Sequence, residues 1–236
     1  MSSVAKWVLR NMLVTSESLT PEISLRLITE ASPLWTSSPD KCPYSDPYWA
    51  FYWPGGQGLT RFILDNRSLF RYSSVLDFGC GCGSASIAVK LSGGKVLSND
   101  VDTNALVATR INHRLNNITY VNSSFSAKNY LLPTYFQELQ CFLESSTSSY
   151  IVLGDMFYDC DFASEIFAWL KKVCSVSKSR VLVGDPDRHP LTDHKHTTRF
   201  KKELLAEYRL PLCVTKENYG FTTTKTNCQT FICIYR

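Results

Sequence analysis

From Ser73 onward, short β-rich apolar runs alternate with longer segments whose apolar residues recur at helical spacing, a pattern that predicts βαβ units and a parallel sheet. Ser74 to Phe78 reads as a strand, Ser84 to Leu91 as a helix closed by Gly93-Gly94, and Lys95 to Ser98 as a second strand. Thr103 to Leu115 then predicts a second helix and Ile118 to Val121 a third strand. Tyr135, Phe136, Leu139, Phe142 and Leu143 stand at helical spacing ahead of the flexible run Ser145 to Ser149, so this insertion is expected to be a helix and a loop. Tyr150 to Leu153 predicts a fourth strand, Phe162 to Val173 a helix, Arg180 to Val183 a fifth strand and Thr198 to Tyr208 a helix. Pro211 to Thr215 and Gln229 to Tyr235 finish the pattern as strands, and their polar connection leaves no room for a crossover helix, so they should pair antiparallel. The expected fold class is α/β: a doubly wound, mostly parallel seven-stranded sheet with an antiparallel last strand.

Upstream the pattern weakens. Residues 17–58 form a proline-rich lead-in that ends in clustered aromatics, with one short helix expected over Leu19 to Ile28, and the main domain is expected over 59–236. Residues 1–16 carry Lys6 and Arg10, no acid, and Val4, Trp7, Val8 and Met12 at helical spacing. Those are features of a mitochondrial presequence, and also of an ordinary chain terminus.

Composition narrows the class. With 236 residues, 44% of them hydrophobic, the chain can bury one sizeable core without disulfides or metal. No apolar run reaches the length of a membrane span, so a soluble intracellular protein is expected, with no membrane partner. The nine cysteines are scattered along the chain and read as reduced thiols. The sequons at Asn66, Asn117 and Asn122 read as chance matches. A net charge of +4 is too mild to indicate nucleic acid. His189, His194 and His196 have no acidic or cysteine ligand at metal-site spacing, so no metal is expected.

The richest stretch in chemistry is Val75-Leu76-Asp77-Phe78-Gly79-Cys80-Gly81-Cys82-Gly83, a strand running into a glycine-rich turn that opens a helix. Such a turn lets backbone approach a bound nucleoside closely. A dinucleotide fingerprint would need glycine at Ser84, and the carboxylate of Asp77 would repel a pyrophosphate. S-adenosylmethionine carries an ammonium and a sulfonium and no phosphate, so Asp77 suits it. Asp100 follows the next strand, 21 residues beyond Gly79, where an acid can accept both ribose hydroxyls. Asp102 competes for that role but reads more simply as a helix N-cap. The candidate cofactor residues are Trp53, Asp77, Phe78, Gly79, Gly81, Gly83, Asp100 and Asn122, with Trp53 as a lid and Trp49, Phe51 and Tyr52 as packing.

The loop, Asp100 and the strand order together resemble the class I, seven-strand, Rossmann-like methyltransferases. Asp155-Met156-Phe157-Tyr158, after the fourth strand, matches the Asp-x-Phe-Tyr hallmark of a lysine methyltransferase branch. With Asp46 to Gln57, Leu19 to Ile23 and Val183-Gly184-Asp185-Pro186, the chain from about Leu19 onward resembles the electron transfer flavoprotein β-subunit lysine methyltransferases. It departs from them in a longer stretch from Asn122 to Ser149 and a diverged one from Lys195 to Lys202. The resemblance implies a mitochondrial matrix enzyme, with the cytoplasm as the second choice, that methylates lysines of that flavoprotein subunit and modulates electron transfer.

A lysine of pKa ~10.4 is neutral on the order of half a percent of the time near pH ~8, a penalty of about 3 kcal/mol. A carboxylate alone would deepen it, so Asp155 is assigned to capturing the amine, with proton loss to water. Phe157 and Tyr158 are assigned to channel walls facing the amine. Lys171, Lys172, Lys178, Arg188, Lys195, Arg199, Lys201 and Lys202 could form a positive face for an acidic partner, or simply solvated surface. Two rival readings are an N-methyltransferase of nucleic acid or small molecules, and a non-catalytic adaptor of the same fold.

Overall fold

The computed structural model describes residues 2–38, 41–44, 46–192, 200–217 and 220–231. Its centre is a seven-stranded sheet of β3 (Ser74–Phe78), β4 (Lys95–Asn99), β5 (Ser123–Ser126), β6 (Ser149–Gly154), β7 (Arg180–Asp185), β8 (Phe200–Arg209) and β9 (Thr223–Phe231), in the order β5-β4-β3-β6-β7-β9-β8. The first five positions pair in parallel, and β9 runs antiparallel to both β7 and β8. The expected doubly wound α/β fold is therefore present.

Residues along β3 alternate between two cores, as a strand buried on both faces must. Val75 packs with Leu59 and Ile63 of α2 (Pro54–Asp65), which the short α3 (Arg67–Phe70) follows, and with Ile87 and Val89 of α4 (Ser84–Leu91). Leu76 packs on the other face with Leu139 and Leu143 of α6 (Phe136–Leu143) and Ile166 and Leu170 of α7 (Cys160–Ser177). The direction of winding reverses between β3 and β6, which places a crevice outside their carboxyl ends.

Five expected elements differ. Ile118 does not begin a strand: Asn117 takes φ 57° and the N–H of Ile118 bonds the carbonyl of His113, so it closes α5 (Thr103–Leu115) as the apolar residue of a Schellman turn. The third parallel strand comes later, at Ser123–Ser126. Among the described residues the helix expected over Thr198 to Tyr208 is replaced by an edge strand, Phe200–Arg209, because ladder bonds to β9 outweigh the helix propensity of Lys-Glu-Leu-Leu-Ala-Glu. Leu212–Glu217 is helical where a strand was expected, and the final strand starts at Thr223. Within Leu19 to Ile28, Ile23, Leu25 and Leu27 are buried at period two, and Leu25–Leu27 is a strand, β2, paired with β1 (Leu13–Thr15). Its other edge is satisfied by α5, with Asn112 Oδ1 accepting the Arg26 N–H and Asn116 Oδ1 that of Ser24.

The opening segment forms α1 (Ser3–Asn11), capped by Ser2, with Val8 and Met12 buried against Ala105 and Ala108 of α5. The expected boundary at residue 58 falls inside α2. His194, Lys195, His196, Arg199 and the end of the last expected strand lie outside the described residues. Among the described residues no helix is long and apolar enough to cross a membrane.

Candidate active site

The glycine loop follows β3 directly, and its three glycines have φ +70°, +51° and +84° at Gly79, Gly81 and Gly83, a region costly for other residues. Asp77 ties the loop to the helix it opens: its Oδ2 accepts the Ser86 N–H at 3.0 Å and the Ser86 hydroxyl at 2.6 Å. Burial raises its pKa to about 6 against the lowering effect of Ser86. Asp100, beyond β4, accepts the N–H of Gly81 at 3.0 Å through Oδ2 and that of Asp102 at 3.0 Å through Oδ1. Burial raises its pKa too. Asp102 caps α5 by accepting the Asn104 N–H, the N-cap role expected of it.

Asp155 directly follows β6, with φ 57°. Its Oδ2 accepts the Gly56 N–H at 2.7 Å at the start of α2, where helical N–H groups have no internal partner. Its Oδ1 accepts from Arg188 Nη2 at 2.8 Å. Burial raises its pKa, opposed by the Arg188 charge and these hydrogen bonds. Asp185 ends the neighbouring β7, is 1% exposed, and has its pKa raised to about 7 by burial and then by the charge of Asp155.

A protein described as the electron transfer flavoprotein β-subunit lysine methyltransferase homolog of Caenorhabditis elegans is 53% identical over 232 residues, 95% of each chain. This chain belongs to that lysine methyltransferase family. The human lysine methyltransferase of the same description is 42% identical over 213 residues, 90% of this chain and 76% of that one. The family model for ribosomal protein L11 methyltransferase (PrmA) matches residues 60–135. A solved putative SAM-dependent methyltransferase from Streptococcus mutans shares the fold, with a TM-score of 0.52 at 12% identity over 73% of this chain and 48% of that one.

For this methyltransferase the donor set fits a cationic cofactor. Asp77, Asp100, Asp155 and Asp185 gather at the carboxyl edge of the sheet, and burial raises the pKa of every one. A nearby ammonium or sulfonium favours the charged carboxylates that burial disfavours, whereas a pyrophosphate would oppose them further. The thiols of Cys80 and Cys82 are buried and held neutral by desolvation, so they fill space in the loop.

Several expected site residues take other places. Asn122 precedes β5, where its carbonyl accepts the Val96 N–H at the opposite edge of the sheet, so it is not at the cofactor crevice. The residues at the crevice end of β5 are Ser126 to Lys128, held by the Asn99 side chain, which donates to the carbonyls of Ser126 and Lys128 at 2.9 Å. Phe78 lies in the core against Trp169, so only its backbone belongs to the loop. Phe157 is fully buried and packs on Phe167 with ring centroids 5.0 Å apart, which makes it core and not a channel wall. Tyr158 is 64% exposed, and nearby Tyr48 and Asp100 help raise its pKa, after burial and Asp159.

Trp53 packs against Tyr48 and Phe51, and its Nε1 donates to the Tyr48 carbonyl at 2.9 Å. It lines a groove of about 730 Å³ with Tyr48, Leu13, Leu27 and Val214, a groove whose wall includes neither the glycine loop nor Asp155. Trp53 therefore lines that separate groove, while Trp49 and Tyr52 are buried packing.

Asp185 and Arg188 carry the part that sequence reasoning missed. A signal for Asp185 exists: Leu153-Gly154-Asp155 and Val183-Gly184-Asp185 repeat one pattern, and β6 pairs Gly154 with Gly184 in register. Arg188 offered no such signal, being one cation among many in the positive-face set.

Proposed function

We propose that this methyltransferase uses S-adenosylmethionine to methylate lysine side chains of the electron transfer flavoprotein β subunit, and that it does so in the mitochondrial matrix. The observation that carries the reading is the placement of Asp100 and Asp155 on either side of the glycine loop, in a chain related over nine-tenths of its length to enzymes of that description. Bound in the crevice, S-adenosylmethionine supplies an activated methyl group. Asp100 would receive the ribose hydroxyls, the Gly79 to Gly83 backbone would lie against the nucleoside, and Asp155 would receive the amine. Alignment is the main contribution these residues make. Support for the partner is the description of the relatives, and the mitochondrial part rests on the resemblance to that family and not on α1, whose Val8 and the following Met12 are packed into the fold.

Incubating the purified chain with methyl-labelled cofactor and recombinant flavoprotein β subunit should place label on lysine, located by mass spectrometry. Label on nucleic acid or small molecules instead, or none, overturns the reading. Label that survives Asp155→Ala removes Asp155 from the reaction. A fluorescent fusion outside mitochondria refutes the localisation.

A further inference from the structure

The carboxylate meant for the incoming amine already has a cation. Arg188 Nη2 donates to Asp155 Oδ1 at 2.8 Å, and the guanidinium is steadied on its flat side by the Phe221 ring, 5.0 Å away. Its Nε points elsewhere: it is buried without a hydrogen-bond partner among the described residues, and so is Oδ2 of Asp185. These two orphaned atoms lie 3.8 Å apart, beyond a hydrogen bond but within an ion pair. Leaving both a buried donor and a buried acceptor unmade is unfavourable, and one small displacement of the guanidinium satisfies both. The backbone is set for it, since Asp185 Oδ1 accepts the Arg188 N–H at 2.6 Å and holds the two residues together.

We propose that Asp185 is a positioning residue for the substrate lysine, receiving the Arg188 guanidinium when the amine takes its place on Asp155. The inference rests on the lysine methyltransferase reading above. Arg188 thus stands on Asp155 as a surrogate for the amine, and Asp185 makes the exchange affordable. Charge is conserved if Asp185 gives a proton to solvent as the lysine ammonium enters, in keeping with its raised pKa of about 7. The charged groups around it are Asp155 on β6, Arg188, Lys202 on β8 and Lys225 opposite it on β9, both lysines being held by Asp187.

The test is steady-state methylation of the recombinant flavoprotein β subunit from pH 6 to 8. For Asp185→Asn, KM for the protein substrate should rise about tenfold at pH 8 and lose its pH dependence, with kcat changed less than about threefold and cofactor affinity unchanged in calorimetry. Asp185→Glu should restore part of the KM. In an Arg188→Met background, where no guanidinium needs a second seat, Asp185→Asn should change KM less than about twofold. This second comparison uses the same folded background on both sides, so it holds even if Asp185→Asn alone unfolds. Wild-type KM and pH dependence in Asp185→Asn, or equal effects in both backgrounds, overturns the proposal alone. A wild-type chain that methylates no lysine overturns the reading and the proposal together.

Discussion

Gly55 and Gly184 meet backbone to backbone, each so close that a Cβ on either would overlap the other's carbonyl oxygen. This contact lets the start of α2 lie on the end of β7, and so brings the Gly56 N–H onto Asp155. A Cβ on Gly184 would also stand 2.7 Å from Cβ of Leu59, and one on Gly55 2.7 Å from Oδ2 of Asp155. Gly184→Ala should therefore destabilise the fold by roughly 1–3 kcal/mol, as overpacking does, and should lower methyl transfer by more than stability alone explains. Thermal melting and turnover on the same sample check this; unchanged turnover would dissociate the contact from the site.

Asp100 and Asn122 were both expected at the cofactor, and the structure separates them. Asp100→Ala should reduce cofactor affinity at least tenfold in calorimetry while circular dichroism stays that of the wild type. Asn122→Gly, which keeps the left-handed backbone at φ 58°, should leave affinity within about twofold. A loss in the second variant would put Asn122 back at the crevice.

The two aromatics after Asp155 should part in the same way. Phe157→Ala removes a fully buried ring and should cost roughly 3–5 kcal/mol of stability in urea denaturation. Tyr158→Ala, at an exposed position, should change stability by less than about 1 kcal/mol and lower kcat or raise KM for the protein substrate. Equal stability losses in both would place Tyr158 in the core with Phe157.

Asp77 makes stability depend on pH in a definite direction. Its folded carboxyl holds a proton up to about pH 6, against an ordinary value of 3.8, so its contribution is fully present below that ordinary value and is lost as pH rises through 6. The difference corresponds to about 3 kcal/mol. Asp77→Asn keeps an oxygen for the Ser86 N–H and cannot ionise. Relative to this variant, the wild type should lose that amount between about pH 4 and pH 7 in urea melts. A constant difference would mean that Asp77 titrates normally.

Four of the five parallel strands and the glycine loop were legible because their signals are local: apolar runs of strand length, a glycine-rich turn, and an acid one strand later. The misread elements depended on partners distant in sequence. Phe200–Arg209 has the composition of a helix and becomes a strand only because β9 offers a ladder. Ile118 is the local exception: its N–H bonds the carbonyl of His113, five residues back, in a turn that ends α5 and that an apolar residue alone does not announce. Phe157 could not be told from a channel wall without knowing that Phe167 lies under it. Asp155 was found from its motif, but its pairing with Arg188 spans 33 positions and needed the fold.

The outer margin of the sheet at β8 exposes Lys201, Glu203, Glu207 and Arg209 around an exposed Leu204-Leu205 pair, with a register slip between Leu204 and Ala206. Unclaimed amide and carbonyl groups along such a border can recruit a foreign strand and seed clumping. Here an intruder would meet opposite signs out of step and a kink that spoils the rail. The border thereby discourages self-templating during synthesis, when the late-made β9 has yet to lock the neighbouring strands together.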